Sequence, residues 1–360
     1  MAYTTIDDPS AHFQIALYTG NGGTQSITND GNSDLQPDLI WIKSRSEGEQ
    51  HSWTDVLRGT DSQLHSEGTN AQSTATNSVT AFGSDGFSLG AEGLVNKNTI
   101  TYAAWQWKAG TATSGNTSGS GTAKAYTSSS NATAGFSIVK YQGNDATGHT
   151  VPHGCGAVPS MIIIRQYDAT RAWTVYHKST ANTHYWALNT TAAAADADNV
   201  FNDTTPSSSV FTLGDNSIVN TPSGNYMAYC FSEVKGFSKF GKFTANGSDN
   251  NTFAYCGFAP RWVMIKPNVT DGWSNWYIFD TARDHPQLNE NPLFANLATR
   301  ENYYGGSPAS NYNQIDIVSN GFKIRRDGNW GVGSDGQESV FMAFAEFPFV
   351  TSTGVPTTAK

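Results

Sequence analysis

The stretch Pro159-Ser-Met-Ile-Ile-Ile-Arg165 decides how this chain is read. Its four consecutive apolar residues, three of them β-branched, are too few for a helix that buries one face. They suit a strand covered on both sides. Proline offers no N–H to a ladder, so Pro159 marks the start of the run and not its interior. The same phrase recurs as Pro37-Asp-Leu-Ile-Trp-Ile-Lys43 and as Pro260-Arg-Trp-Val-Met-Ile-Lys266. Each time the order is proline, any residue, three apolar residues, isoleucine and a cation. The chain is a threefold internal repeat.

Other landmarks keep step with these strands. Upstream lie Tyr18-Thr-Gly-Asn-Gly22, Tyr141-Gln-Gly-Asn144 and Phe243-Thr-Ala-Asn-Gly247, each a strand end running into a turn. Gly135-Phe-Ser137 and Gly236-Phe-Ser238 open the second and third copies, with His12-Phe-Gln14 as a divergent first version. Downstream, Trp53, Trp173 and Trp276 follow the prolines. Each copy closes on an aromatic strand: Tyr102-Ala-Ala-Trp105, Tyr226-Met-Ala-Tyr229 and Phe341-Met-Ala-Phe344. The prolines stand about 100 to 120 residues apart, a domain-sized period longer than that of solenoids or propellers. The expectation is an all-β chain of three homologous β-sandwich lobes in tandem, each with its own core.

The lobes are placed at 13–110, 134–235 and 236–350, with a polar lead-in at 1–12 and a tail at 351–360. Between the first two, 111–133 contains Ser114-Gly-Asn-Thr-Ser-Gly-Ser-Gly121 and reads as a flexible Gly/Ser/Thr linker. Phe231-Ser-Glu-Val-Lys-Gly-Phe237 leaves no linker between the second and third lobes. These two should pack rigidly, with the first freer. Helix is expected only at Ala192–Asp198.

Composition excludes several classes. The chain has 360 residues, 14% charged and 12% aromatic, with 35 glycines and a net charge of −9. Ten Trp, fifteen Tyr and nineteen Phe suffice for three cores, so the chain is not disordered. No Lys/Arg cluster offers a track for phosphates, which argues against nucleic acid. No apolar run reaches the roughly 20 residues that span a bilayer. The N-terminus reads as lacking a secretory signal. Three cysteines, Cys155, Cys230 and Cys256, cannot all pair in one chain and are expected as free thiols.

The repeated pattern Tyr18-Thr-Gly-Asn-Gly … Pro37-Asp-Leu-Ile-Trp-Ile-Lys … Tyr102-x-Ala-Trp105 resembles a group of virion structural or tail-fibre-like proteins of tailed bacteriophages, common in marine phages. The resemblance runs from about Phe13 to Phe349. It implies jelly-roll or concanavalin-like sandwiches and a place in the virion, and it brings no catalytic residues. A phage particle also accounts for an adhesin-like polar surface without an export signal, because such proteins fold in the host cytoplasm and leave by lysis.

Constellations with chemistry are few. Asp30-Gly-Asn-Ser-Asp34 has calcium-loop spacing, but Leu35 stands where the loop needs glycine and Trp41 where it needs glutamate, so it reads as a solvated turn. His149, His153 and Cys155 lack a fourth zinc ligand and read as a plain loop. Asp55 with Arg58, and Asp280 with Arg283, recur at matching places and read as ion pairs pinning turns; the second copy has His177 there. Aromatic residues in polar loop text are the functional lead, because flat rings stack on sugars and anchor interfaces. They are Tyr185, Trp186, Trp273, Tyr303, Tyr304 and Trp330, of which Trp186, Tyr303, Tyr304 and Trp330 are the contact candidates.

The reading is a non-enzymatic virion protein without cofactor or metal. It acts as a tail-fibre or receptor-binding component that contacts other virion proteins and host surface glycan. It is expected as a homo-oligomer, with a trimer among the arrangements. A capsid decoration or capsid-fibre protein and a polysaccharide-degrading tail enzyme are the alternatives.

Overall fold

The computed structural model describes residues 3–284, 286, 291–301, 303–304, 307–308, 314–325 and 332–357. Antiparallel strands dominate. The helices are single turns at Gly93–Asn96, Asp198–Phe201 and Ser217–Asn220, with a 3-10 turn at Pro9–Ala11. The helix expected at Ala192–Asp198 does not form: Ala195–Asp196 pairs as a strand, and helical turns begin only at Asp198.

Three major sheets hold the three proline-led strands. The first runs Phe13–Thr19, Thr101–Trp107, Leu39–Ser44, Ser52–Asp55. The middle of the second runs Phe136–Gln142, Asn225–Ser232, Pro159–Gln166, Thr174–His177. The third runs Ser238–Thr244, Glu338–Pro348, Phe258–Pro267, Tyr277–Asp280, Leu293–Phe294. In each, the proline-led strand is interior, between the closing strand and the strand that follows it. A three-stranded sheet accompanies each major one. These small sheets contain Gln25–Thr28 with Gly86–Leu89, His149–Pro152 with Val210–Leu213, and Phe253–Tyr255 with Gly321–Ile324.

Two-sided cover explains the unbroken apolar runs. Ile40 and Ile42, Ile162 and Ile164, and Val263 and Ile265 each join a core on the side of the small sheet. The alternate residues Leu39, Trp41, Met161, Ile163, Trp262 and Met264 face the other way, into one interior shared by all three major sheets. Eight of the ten tryptophans lie in that interior, so the largest apolar side chains hold the sheets to one another. Separate cores were expected; a common core exists beside them.

Register defines equivalent positions. Two residues beyond each proline, Leu39, Met161 and Trp262 pair with Trp107, Phe231 and Phe344. They also pair with Asp55, His177 and Asp280 on the other side. Phe344 therefore stands with Trp107 and Phe231, not with Trp105 and Tyr229 as the aromatic spacing suggests. Met342 takes that second place, opposite Met264, as Trp105 and Tyr229 lie opposite Trp41 and Ile163.

Polar contacts between the sheets form a cycle. Trp173 Nε1 of the second donates to His65 O of the first at 2.9 Å. Trp276 Nε1 of the third donates to Ala187 O of the second at 3.0 Å. His51 Nε2 of the first meets Phe294 O of the third at 2.9 Å. The three donors all immediately precede the strand beside the proline-led one. A second set of contacts joins the same three pairs of sheets. Tyr229 hydroxyl donates to Asp55 Oδ2 at 2.8 Å, Trp105 Nε1 to Asp280 Oδ2 at 3.1 Å, and His177 Nε2 meets Phe341 O at 3.1 Å.

The cations that end the repeated phrase are also buried. Lys266 Nζ donates to Thr191 O, Ser274 O and Pro267 O, and burial pushes its pKa down to about 7. Burial takes Lys43 down to about 8, against the pull of Glu67, Glu49 and Glu301. Arg165 reaches Thr69 O and Asn70 O in the first repeat. The first repeat is thus tied to both others, and the freedom expected for it is not observed.

The linker expectation is likewise corrected. Thr111–Asn116 pairs with Ala125–Asn131, which pairs with Phe136–Gln142, so the segment adds two strands to the second major sheet. Ser118–Gly119 adds a short third to the small sheet. Low apolar content deprives these strands of a core, but the edge of Phe136–Gln142 supplies the hydrogen-bond partners that a ladder needs.

Candidate functional site: an aromatic strip on the third small sheet

Phe253–Tyr255 is an edge strand in which Ala254 points into the core while Phe253 and Tyr255 point out. Residues two apart on a strand share a face, roughly 7 Å from one another. Phe253 is 43% exposed and Tyr255 55%. The other repeats serve as an internal control. Phe253 lies opposite Lys323, where Ser26 lies opposite Ser88 and Thr150 opposite Thr212. Tyr255 takes the place of Thr28 and Pro152. The first two small sheets carry short side chains there, so the fold itself does not require aromatic rings.

The strip is fixed in place. A Cβ on Gly321 would meet Ala254 O at 2.1 Å and the Phe253 ring at 3.0 Å, so the bare glycine lets both the edge strand and that ring lie close. Tyr3 hydroxyl donates to Gly257 O at 2.7 Å and lies beside the Tyr255 hydroxyl; burial and that neighbour raise the Tyr3 phenol well above its ordinary pKa. Phe349 extends the strip, with its ring 6.4 Å from that of Tyr3. The Lys235 ammonium sits 4.3 Å over the Tyr3 ring, and Lys323 donates to Asn250 at the other end. The result is a patch with three exposed rings, Phe253, Tyr255 and Phe349, beside the half-buried Tyr3, flanked by two cations and an amide. Such a surface can stack on apolar faces while bonding hydroxyl or acidic groups beside them.

A second candidate is a groove of about 220 Å³ between Phe13–Thr19 and the end of Glu338–Pro348. Asp8, Asp30, Asn32, Arg261 and Glu346 line it. Asp8 is saturated: it accepts from Ser10 N at 3.0 Å and from the hydroxyls of Ser10 and Ser33 at 2.6 Å. Burial pushes its carboxyl up, but these bonds outweigh burial and hold it below its ordinary pKa. Thr281 Oγ1 bridges two of the others, donating to Glu346 at 3.2 Å and accepting from Arg261 at 3.2 Å. A general acid needs a raised pKa, and Asp8 is shifted the other way. The groove suits hydrogen bonding better than proton transfer.

The residues singled out from sequence fare differently. Trp186 is 1% exposed, its Nε1 donating to Thr180 and its ring packed on Trp276, so it is a core group and not a contact residue. Tyr303–Tyr304 pairs with Ser307–Pro308 as a two-stranded ribbon, with side chains outside the described residues, and Trp330 lies outside them altogether. Asp55 and Asp280 do pair with Arg58 and Arg283, each at 2.6 Å. His153 accepts from Cys155 N, and His149 meets Asn144; among the described residues no group of three His, Cys, Asp or Glu could hold a metal. Cys155, Cys230 and Cys256 are buried free thiols. Aligning the repeats strand by strand would have exposed Phe253 and Tyr255, because they break a Ser/Thr/Pro column.

Residues 8–348 match a family described as a domain of unknown function, DUF7483. The chain belongs to that family. The match spans all three major sheets and includes Phe253 and Tyr255, while Tyr3 and Phe349 lie just outside it. No curated protein matches the chain.

Proposed function

We propose that this chain is a non-enzymatic structural protein of a tailed-phage particle, present there as a homo-oligomer among other virion proteins. In this reading it consists of three homologous β-sandwich lobes closed in a ring, and it meets host-surface glycan through the aromatic strip. The observation that carries the contact is the third repeat's departure from the other two. Phe253 and Tyr255 stand exposed where Ser26, Thr28, Thr150 and Pro152 suffice elsewhere. Lys235 and Lys323 beside the rings favour an acidic sugar.

The test is adsorption of phage carrying Phe253→Ala/Tyr255→Ser, together with the melting temperature of the purified variant. Adsorption should fall about tenfold or more, the loss of one or two ring contacts worth roughly 1.4 kcal/mol or more, with melting unchanged. Normal adsorption would sink the glycan contact. Antibody labelling confined to the capsid shell would move the protein to a decorating role.

A further inference from the structure

We propose that Thr111–Asn116 is the edge through which two copies of this chain pair, antiparallel, into one continuous sheet. The strand ends the eight-stranded sheet. Ala125–Asn131 lies on one side, and no described strand lies on the other. Five of its six residues are exposed, and Gly115 is half-buried. From Thr111 to Ala123 there is neither charge nor proline. An edge of this length with no such guard is a template for another strand.

Two other edges of the major sheets are guarded by charge or by shortness. Ser238–Thr244 carries Lys239 and Lys242, bonded to Glu233 and Glu338. The far end of the eight-stranded sheet is the two-residue strand Ala195–Asp196, with a charge on it. Thr111–Asn116 is also tied to its neighbour: Thr113 Oγ1 lies 2.8 Å from Ser128 Oγ, and the absent Cβ of Gly115 makes room for the Tyr126 ring.

A second copy is the occupant that these features suit. An antiparallel strand is self-complementary about a twofold axis, and an uncharged one meets no like charge in its own image. The same lack of charge gives a foreign partner nothing to select. A six-residue ladder buries well under the roughly 1,200 Å² of a stable complex. Pairing is therefore weak in dilute solution and gains from copies held side by side.

The experiment uses the full chain. Sedimentation equilibrium over a wide concentration range should show a monomer–dimer equilibrium. The variant Ala112→Lys/Ser114→Lys, on exposed positions, should weaken it at least tenfold with melting unchanged. Single cysteines placed in turn at positions 112 to 114 should oxidise to inter-chain disulfides with one clear maximum, at the residue nearest the twofold. A wild-type chain that stays monomeric at millimolar concentration overturns the proposal. A dimer insensitive to the lysines, or cysteines that never cross-link, overturns it equally, because association then uses another surface.

Discussion

His177 occupies the position that Asp55 and Asp280 hold in the other two sheets, and the reason lies across the interface. Asp55 accepts from Tyr229 hydroxyl and Asp280 from Trp105 Nε1. The residue equivalent to these donors in the third sheet is Met342, whose thioether has no proton to give. A carboxylate at 177 would be buried without that partner. A neutral imidazole instead accepts from Ser179 N at Nδ1 and donates from Nε2 to Phe341 O. Burial lowers the His177 pKa to about 4. The unfolded chain, near the ordinary 6.5, then binds more protons than the folded one between those values, so stability is lost as pH falls from 6.5 towards 4. Between pH 7 and 4.5 this one group should remove on the order of 2–3 kcal/mol. His51 is also shifted down by burial and adds to the same slope. The measurement is therefore comparative: urea melts at both pH values should show a smaller acid loss for His177→Gln than for wild type. Equal losses would mean that the imidazole is not held neutral.

At the scale of elements, two features show what fixes a turn and what makes a strand. The turns at Asn21, Asn144 and Asn246 are not free-standing hairpin signals. Asn21 N, Asn144 N and Asn246 N each donate to the side chain of a buried asparagine, Asn96, Asn220 and Asn251 respectively. Asn96 and Asn220 come from helical turns far along the chain. The added strands of 111–131 make the opposite point, because composition marked them as linker and pairing made them sheet. Ala125–Asn131 has a ladder on both sides, so its amides should exchange with solvent deuterium as slowly as those of Phe136–Gln142. Mass spectrometry after brief labelling checks this. Complete exchange across 125–131 within seconds would restore the linker. The sequence could not show the pairing, since Ser, Thr and Gly carry no apolar alternation and the partner edge lies elsewhere.

For the whole molecule, the shared interior sets the unit of folding. Each major sheet turns one apolar face to its own small sheet and the other to its two neighbours. A fragment of residues 134–235 alone would expose Met161, Trp173, Tyr229 and Phe231, which are all but inaccessible in the full chain. Uncovering each such side chain costs roughly 1.5–3 kcal/mol, comparable in sum with the whole stability of a domain. The fragment should bind hydrophobic dyes and melt without cooperativity. The full chain should melt in one calorimetric transition, with calorimetric and van't Hoff enthalpies in agreement. A fragment that melts sharply by itself would show that the lobes are independent. The family match points the same way, since it runs through all three repeats as one domain.

The sequence by itself determined the repeated proline-led strand, its interior place and its need for cover on two faces. Those follow from local facts: an unbroken apolar run, a residue without an N–H, and a recurring turn. It also located the Asp55–Arg58 and Asp280–Arg283 pairs, because both partners lie within one turn. Tertiary structure decided what does the covering. It buried Trp186, which polar neighbours had marked as exposed, beneath Trp276 from another repeat. It set Phe344 in register with Trp107 and Phe231 against the spacing of the aromatic residues. It also assembled one surface strip from Tyr3, Phe253, Tyr255 and Phe349. Exposure is settled by what distant chain arrives on top of a residue, and no local pattern records that arrival.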